Sequence, residues 1–220
     1  MSNQRWTEVD NYLNKHLVEQ DVALLCALNT NADAGLPAID VSPNQGKLLH
    51  IYARMIQARR VLEIGTLGGY STIWLARALP EDGKVITLEY DERHAEIASQ
   101  NIRRAGLEDK ITIRPGAALD TLPTLHNSEP FDLIFIDADK KNNPAYLEWA
   151  LRYSRPGTVI IGDNVVRDGA ITHPTPQDEN IAGICRFIDL IGQNSRLTAT
   201  ALQTVGSKGW DGFIIALVNH

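Results

Sequence analysis

The hydrophobic pattern of the chain changes near residue 60. Before that point, residues of roughly 4 to 29 carry apolar side chains at helical spacing and predict a helix, which an Asn-, Gly- and Pro-rich loop ends. A second helix is predicted to begin at Ser42, a favourable N-cap that is followed by Pro43. From Val61 onward, short β-rich runs alternate with helical stretches, which predicts right-handed βαβ crossovers.

The alternating region predicts five strands and the helices between them. The predicted strands are Arg60–Ile64, Val85–Glu89, Ile111–Arg114, Leu133–Ile136 and Val159–Gly162. The predicted helices are Tyr70–Leu79, Arg93–Ala105, a short turn after Gly116, Tyr146–Ser154 and one near Ile181–Ile191. Two further strand-like runs, 196–205 and 212–218, would form an antiparallel edge. The pattern therefore predicts an α/β fold with a doubly wound, mostly parallel, seven-stranded sheet.

Length and composition are those of one α/β domain. A chain of 220 residues that is 44% hydrophobic can bury a substantial core, and no linker, repeat or low-complexity tract marks a second domain. We expect a single domain over residues 1–220, with N-terminal helices in 1–58 and the ligand-binding sheet in 59–220.

Charge and cysteine content exclude several classes of partner. The net charge of −6, spread along the chain, offers no basic stripe for nucleic acid. The sequence has no signal-peptide core and no uncharged run near the ~18 residues of a membrane span, so we expect a cytoplasmic protein without membrane contact. Cys26 and Cys185 lie far apart in apolar stretches and predict buried thiols in a reducing compartment.

The glycine-rich turn after the first strand predicts a nucleotide site. Ligands of open α/β sheets bind outside the carboxyl ends of the strands. The dinucleotide fingerprint G-x-G-x-x-G fails here because Leu67 occupies its second glycine position, and Glu63 would repel a diphosphate. S-adenosylmethionine (SAM) fits better, since it carries an ammonium and a sulfonium and no phosphate. Glu89, 26 residues beyond Glu63, is placed to bind the ribose hydroxyls, near the usual interval of about 20 residues.

Oxygen ligands follow the fourth and fifth predicted strands. Asp137 ends one strand, and Asp163 and Asn164 end the next, so the three side chains are expected to converge at neighbouring strand ends. A set without His or Cys favours a hard cation, Mg²⁺ first, with Ca²⁺ or Mn²⁺ as alternatives. Three protein ligands leave coordination positions of the cation open for substrate oxygens and water.

Three motifs in this order give a family resemblance. "LEIGTLGGYSTIWLARALP", "FDLIFIDADKKNNPAYLEWAL" and "IIGDNVVRDG" resemble those of the cation-dependent class I O-methyltransferases, the family of the caffeoyl-CoA and catechol enzymes, especially small bacterial members. The resemblance runs from about Ser42 to Leu217. It implies a Rossmann-like methyltransferase fold, a homodimer, and methyl transfer from SAM to a hydroxyl of a phenolic, catechol-like small molecule.

The resemblance also implies roles for individual residues. Asp137, Asp163 and Asn164 would bind the divalent metal, Asp137 would also border the cofactor, and Lys140 would be the candidate base. Glu89 would hold the ribose. The methionyl end of SAM would be lined by Val41, Glu63, Gly65, Thr66 and Ser71. The adenine would be lined by Ala117 and Ala118.

Alternatives remain open at the level of sequence. Lys140 can instead be a surface lysine paired with Asp139. The whole chain can be an NAD(P)-dependent oxidoreductase or a SAM-binding module without catalysis. Gly68 occupies a position where many family members carry Thr. The loop from Val165 to Asn180 is expected to help shape the acceptor pocket, and it matches no substrate-specific pattern.

Overall fold

The computed structural model of the chain describes residues 3–125, 129–175 and 177–219. Within these residues, seven strands form one sheet. They are β1 (Arg60–Ile64), β2 (Lys84–Glu89), β3 (Ile111–Pro115), β4 (Phe131–Ile136), β5 (Ser154–Asp163), β6 (Leu197–Gly206) and β7 (Gly209–Val218). Their order is β3-β2-β1-β4-β5-β7-β6. The first five strands are parallel, and β7 pairs antiparallel with both β5 and β6. The predicted mostly parallel sheet with an antiparallel edge is confirmed.

Helices cover both faces of the sheet. They are α1 (Asn3–Leu17), α2 (Val22–Asp33), α3 (Pro43–Met55), α4 (Tyr70–Ala78), α5 (Glu92–Arg104), α6 (Ala118–Thr121), α7 (Asn143–Arg152) and α8 (Glu179–Gln193). One buried core packs helices α2, α3, α4 and α5 against one face of the sheet. A second core packs α7 and α8 against the other face. Among the described helices, none combines the length and apolar character needed to cross a bilayer.

The switch point of the sheet lies between β1 and β4. The chain moves outward in one direction from β1 through β2 to β3, and in the other from β4 to β5. At this point the loops after neighbouring strands diverge, which opens a crevice at their carboxyl ends. Both central strands are almost fully buried, and for that reason they read in the sequence as short apolar runs.

The prediction of a single helix over residues 4–29 is wrong. The structure has two helices, separated by residues 18–21. Asp21 caps the second helix, since its side chain accepts a hydrogen bond from the Leu24 N–H (3.0 Å). Its carboxylate also pairs with Arg77 of α4 at 2.6 Å. The predicted cap at the next helix is confirmed, because the Ser42 hydroxyl accepts from the Gln45 N–H (3.2 Å).

The fifth strand begins five residues earlier than predicted. "SRPG" resembles a turn, but Ser154 already pairs with Phe131 of β4 across a register shift. Thr158 supports this irregular start, since its hydroxyl accepts from the Arg155 N–H (2.9 Å) and donates to the Phe131 carbonyl (2.6 Å). One local and one long-range bond thus take up the backbone N–H of Arg155 and the carbonyl of Phe131, which a solvent-exposed turn would leave to water.

The two cysteines are half-buried, which corrects the prediction of buried thiols. Both thiols are free. Cys185 lies on α8, where its thiol donates to the Ile171 carbonyl at 3.6 Å. Apolar neighbours in sequence do not by themselves bury a residue, because each cysteine lies towards the edge of a helix face that the core covers only in part.

Candidate functional site

The turn after β1 and the end of β4 lie in direct contact. Gly65 has a φ of +104°, and a Cβ built on it would lie 2.2 Å from the Asp137 carbonyl oxygen. The Asp137 N–H donates to the Ile64 carbonyl at 2.8 Å. A side chain at position 65 would therefore force the two strand ends apart, and this closeness is the physical reason for glycine there.

Glu89, at the end of β2, holds the same turn from the other side. One carboxylate oxygen accepts from the N–H groups of Thr66 (3.1 Å) and Leu67 (2.7 Å). The other accepts from the Asp91 N–H (3.0 Å) and lies 3.5 Å from His94 Nδ1. Leu67 has a φ of +49°, a strained conformation that these hydrogen bonds help to hold.

Glu63 is a fully buried carboxylate with hydroxyl partners. Its oxygens accept hydrogen bonds from Ser71 (2.6 Å), Thr87 (2.6 Å) and Thr72. Burial raises the pKa of Glu63 to about 7, in spite of the opposite effect of these three hydrogen bonds. Glu63 is fully buried and bonds to Ser71 at the start of α4, so a direct contact between Glu63 and a cofactor stays a prediction.

A buried amide network that the sequence analysis missed supports the turn. Asn101 Nδ2 donates to the Gly68 carbonyl (2.9 Å) and to Asn31 Oδ1 (3.0 Å), and Asn31 Nδ2 donates to Asp40 (2.9 Å). A Cβ on Gly68 would lie 1.8 Å from Asn31 Oδ1, so the network leaves no room for a side chain at position 68. The members are up to 70 residues apart, so no local pattern reveals them.

Three further residues predicted to bind the cofactor, Val41, Ala117 and Ala118, lie outside the turn. Val41 is buried directly ahead of α3, and the charge of Asp137 acts on the carboxyl of the preceding residue, Asp40. Burial is the larger effect on Asp40 and raises its pKa. Ala117 and Ala118 begin α6 directly after Gly116, whose N–H donates to the Glu89 carbonyl at 2.8 Å. The structure thus brings these alanines to the end of the Glu89 strand.

Lys140 is a buried lysine that faces the site. Its side chain is 10% exposed, and Nζ donates to Asp137 Oδ1 at 2.8 Å. Gly183 of α8 packs on the Lys140 backbone so closely that a Cβ would lie 2.4 Å from its carbonyl oxygen. Asp139 binds Tyr146 and Asn142 instead. The alternative of a surface lysine paired with Asp139 is therefore wrong.

Asp163 and Asp137 bring two carboxylates to adjacent strand ends. Ile136 lies opposite Gly162 in the β4–β5 pair, so the two aspartates follow at matching positions. Burial, with the charge of Asp137 as the second cause, raises the pKa of Asp163 to about 7, while Lys140 opposes this. Asn164 follows with a φ of +55°, and its N–H donates to Asp163 Oδ1 at 2.8 Å.

The donor set suits a cation although it contains few acids. In the described part of the chain, no three His, Cys, Asp or Glu side chains come together as a metal site. The predicted set is instead two carboxylates and one amide. All three offer oxygen ligands, and the two acids repel each other unless a positive charge lies nearby. The residues therefore fit a hard divalent cation.

The buried acid Glu63 predicts a pH-dependent stability. Because its folded-state pKa is raised from 4.5 to about 7, folding favours the neutral form, and the contribution of Glu63 to stability falls as pH rises through this window. We expect Glu63→Gln to remove a fall of about 3 kcal/mol in the free energy of unfolding between pH 4.5 and 8. Urea unfolding of both cofactor-free proteins across this range measures the difference. Parallel pH profiles would contradict the prediction.

The Gly68–Asn31 contact predicts coupled substitutions. Gly68→Ala should lower the free energy of unfolding by about 2 kcal/mol, because its Cβ overlaps the Asn31 amide. Asn31→Ala removes that amide, so the double variant should be more stable than the sum of the single changes predicts, by about 1 kcal/mol. A double-mutant cycle from chemical denaturation tests this. Strictly additive effects would show that the two positions do not interact.

Comparisons with known proteins identify the family. A sequence model of the O-methyltransferase family matches residues 15–216. The catechol O-methyltransferase of Niastella koreensis is 51% identical over 220 residues, covering 99% of this chain and 100% of that protein. The catechol O-methyltransferase of Mycobacterium tuberculosis is 54% identical over 211 residues, covering 96% and 95% respectively.

A solved structure extends the match to three dimensions. The O-methyltransferase from Bacillus cereus, in complex with SAH, superimposes with a TM-score of 0.97 at 57% identity, covering 99% of this chain and 100% of that chain. The agreement includes the antiparallel edge and the N-terminal helices, since nearly the whole chain is aligned. On these matches of sequence and fold, the chain belongs to the O-methyltransferase family.

Proposed function

We propose that the chain, acting as a single domain over residues 1–220, transfers the methyl group of SAM to a hydroxyl of a vicinal diphenol with the help of a divalent cation. The observation that carries the proposal is the contact between Gly65 and Asp137. It joins a turn suited to the cofactor to an acid suited to the cation. Family membership disfavours both a nicotinamide oxidoreductase and a module without catalysis.

SAM is the proposed methyl donor. The SAH complex of the Bacillus cereus relative supports this, because SAH is what remains of SAM after methyl transfer. Glu89 would accept hydrogen bonds from the ribose hydroxyls while it continues to hold the turn. The other proposed contacts are Val41, Gly65, Thr66, Ser71 and Asp137 at the methionyl end, with Glu63 behind Ser71, and Ala117 and Ala118 beside the adenine.

Asp137, Asp163 and Asn164 would hold the cation. Mg²⁺ is favoured by the oxygen donors, with Ca²⁺ or Mn²⁺ as alternatives. When bound, the cation supplies Lewis acidity and a template for two adjacent acceptor oxygens. The names of the two catechol O-methyltransferase relatives support a diphenol as acceptor.

Lys140 is the proposed base. Its Nζ lies 2.8 Å from Asp137, at the mouth where the acceptor hydroxyl would enter. In the reaction, the acceptor oxygen forms a bond to the methyl carbon, the bond between carbon and sulfur breaks, and its electron pair neutralises the sulfonium. The hydroxyl proton passes to Nζ, which accepts it as the unprotonated amine. The Lys140 backbone is held against α8 by the close approach of Gly183, and the lysine side chain is 10% exposed.

The proposal predicts metal-dependent methyl transfer. A screen of vicinal diphenols with SAM, analysed by mass spectrometry, should give monomethylated products with Mg²⁺ and none after addition of EDTA. Monophenols should react poorly, because they offer one oxygen instead of two adjacent ones. Methyl transfer that persists after EDTA has chelated the cation would count against the cation site. The absence of methyl transfer to any diphenol would count against the acceptor class.

A pair of neighbouring variants separates the base from general charge effects. Lys140→Met should lower turnover by about 100-fold or more, the usual contribution of general base catalysis, and leave SAH affinity nearly intact. Lys141→Met is the matched control, because Lys141 is half-exposed and faces Glu179 at 3.9 Å. Equal turnover in the two variants would refute the role of Lys140.

We also propose a homodimer. Large apolar side chains are exposed on α1 and on the β6–β7 pair, and α1 has no buried residue. Such a surface commonly marks a protein interface. These side chains are Val9, Tyr12, Leu13, Leu17, Leu202, Val205, Trp210 and Leu217. Sedimentation velocity should give twice the chain mass of 24.3 kDa, and Leu17→Glu with Leu202→Glu should shift it to one chain. A wild-type protein of single-chain mass would overturn this proposal.

A further inference from the structure

The segment after β5 is held in an unusual backbone conformation. Asn164, Arg167 and Asp168 have φ values of +55°, +52° and +52°, in the left-handed region that side chains other than glycine rarely adopt. Gly169 follows at +83°. Each such non-glycine residue costs about 1 kcal/mol or more, so the conformation persists only where the surroundings impose it.

One carboxylate oxygen supplies much of that restraint. Asp211 Oδ1 accepts hydrogen bonds from the N–H groups of Val166 (3.0 Å), Arg167 (3.0 Å) and Gly212 (2.9 Å). The second oxygen lies 4.0 Å from the Arg167 guanidinium. Hydrogen bonds between a charged carboxylate and backbone N–H groups are stronger than those between neutral groups. Asp211 therefore binds the segment at Val166 and at Arg167, which is itself one of the strained positions.

Backbone and ring contacts on either side of Asp211 complete the attachment. The Val165 N–H donates to the Gly212 carbonyl (3.0 Å), and the Asp168 N–H donates to the Trp210 carbonyl (3.1 Å). A Cβ on Gly169 would lie 2.8 Å from the Trp210 ring. The ring is itself oriented, since its Nε1 donates to Gln203 at 3.0 Å. The start of β7 thus holds residues 165–169 directly.

The pairing of β7 with β5 ties this attachment to the predicted cation ligands. Phe213 lies opposite Asp163 in the antiparallel pair, so Asp211 stands two residues beyond the last paired position. β5, which carries Asp163, pairs with β7 from Phe213 onward, and the segment after β5 bonds to the three residues just before Phe213. The cofactor turn at β1 and β2 makes no hydrogen bond to this segment among those the structure gives for the described residues.

We propose that Asp211 is a positioning residue for the cation and the methyl acceptor. It holds Val166 and Arg167 so that the preceding Asn164 keeps its left-handed conformation next to Asp163. Asp211 contacts none of the proposed ligands directly and acts through the segment. This inference rests on the proposed function for the identity of the ligands. It assigns to the Asp211 carboxylate the ordering of the residues proposed to lie beside the methyl acceptor. The binding of SAM does not depend on this carboxylate.

Three variants test the role of Asp211. Asp211→Ala removes the shared acceptor, and Asp211→Asn retains one oxygen that can accept from the same N–H groups without the charge. Asp21→Ala is the matched control, because Asp21 also accepts a backbone N–H and pairs with an arginine, but at the start of α2. Each folded variant is compared with the wild type in SAH affinity by calorimetry, in Mn²⁺ binding by electron paramagnetic resonance with SAH present, and in the KM for catechol.

The expected pattern is specific to the acceptor side. Asp211→Ala should weaken Mn²⁺ binding and raise the KM for catechol by about tenfold or more, as the loss of an orienting partner typically does. SAH affinity should stay at the wild-type value, Asp211→Asn should fall between Asp211→Ala and wild type, and Asp21→Ala should change neither Mn²⁺ binding nor KM. If Asp211→Ala does not fold, the comparison of Asp211→Asn with Asp21→Ala decides.

Amide hydrogen exchange separates this inference from the proposed function. Peptides that cover 164–169 should exchange faster in Asp211→Ala, with β5 unchanged, whether or not the protein methylates catechol or binds Mn²⁺. Absence of Mn²⁺ binding or catechol methylation in the wild type would refute the proposed function instead. Unchanged exchange in 164–169, unchanged Mn²⁺ binding in Asp211→Ala, or an equal loss of SAH affinity would overturn the role of Asp211.

Discussion

The close approach of Gly65 to the Asp137 carbonyl is the constraint on which the site depends. With a Cβ the contact would be 2.2 Å, so the two strand ends meet only because residue 65 has no side chain. This contact places the glycine turn, the buried Lys140–Asp137 pair and Asp163 along one edge of the sheet. Loops alone would leave such groups free to move apart, whereas the ends of two buried parallel strands cannot separate without breaking the core.

The charge distribution of the site follows from that closeness. Asp137 acts on the carboxyls of Asp40, Glu63 and Asp163, and burial raises the pKa of each of the three. Lys140 offsets part of this repulsion through its contact with Asp137. The cofactor-free site therefore holds negative charge at some cost in stability, and positively charged ligands would relieve that cost. SAM and a divalent cation both have the required sign.

Much of the fold could be predicted from the sequence, because the buried strands are apolar runs and their connections are short. The strand-end rule then placed Glu89, Asp137 and Asp163 on one edge, as the topology confirms. Contacts between distant residues could not be predicted. The Asn31–Asn101 bond spans 70 residues, and the close packing of α8 on the Lys140 backbone depends on Gly183. The break between α1 and α2 is not evident in the sequence, because a four-residue gap barely disturbs the helical spacing of apolar residues.

The antiparallel edge and the parallel strands of the sheet support different parts of the candidate site, and this separation affects how substrate specificity can diversify. β7 is in register with β5 through Asp163 and Phe213, and a slip by one residue would turn every side chain of β7 to the opposite face. Trp210 and Asp211, at the start of β7, order the segment that the proposed function places beside the acceptor, while the turn proposed to bind the cofactor follows β1 and is held by the end of β2. On the proposed function, sequence changes in the β6–β7 pair alter which acceptor fits and leave the turn for the methyl donor untouched, so new substrates are acquired by remodelling one edge of the sheet.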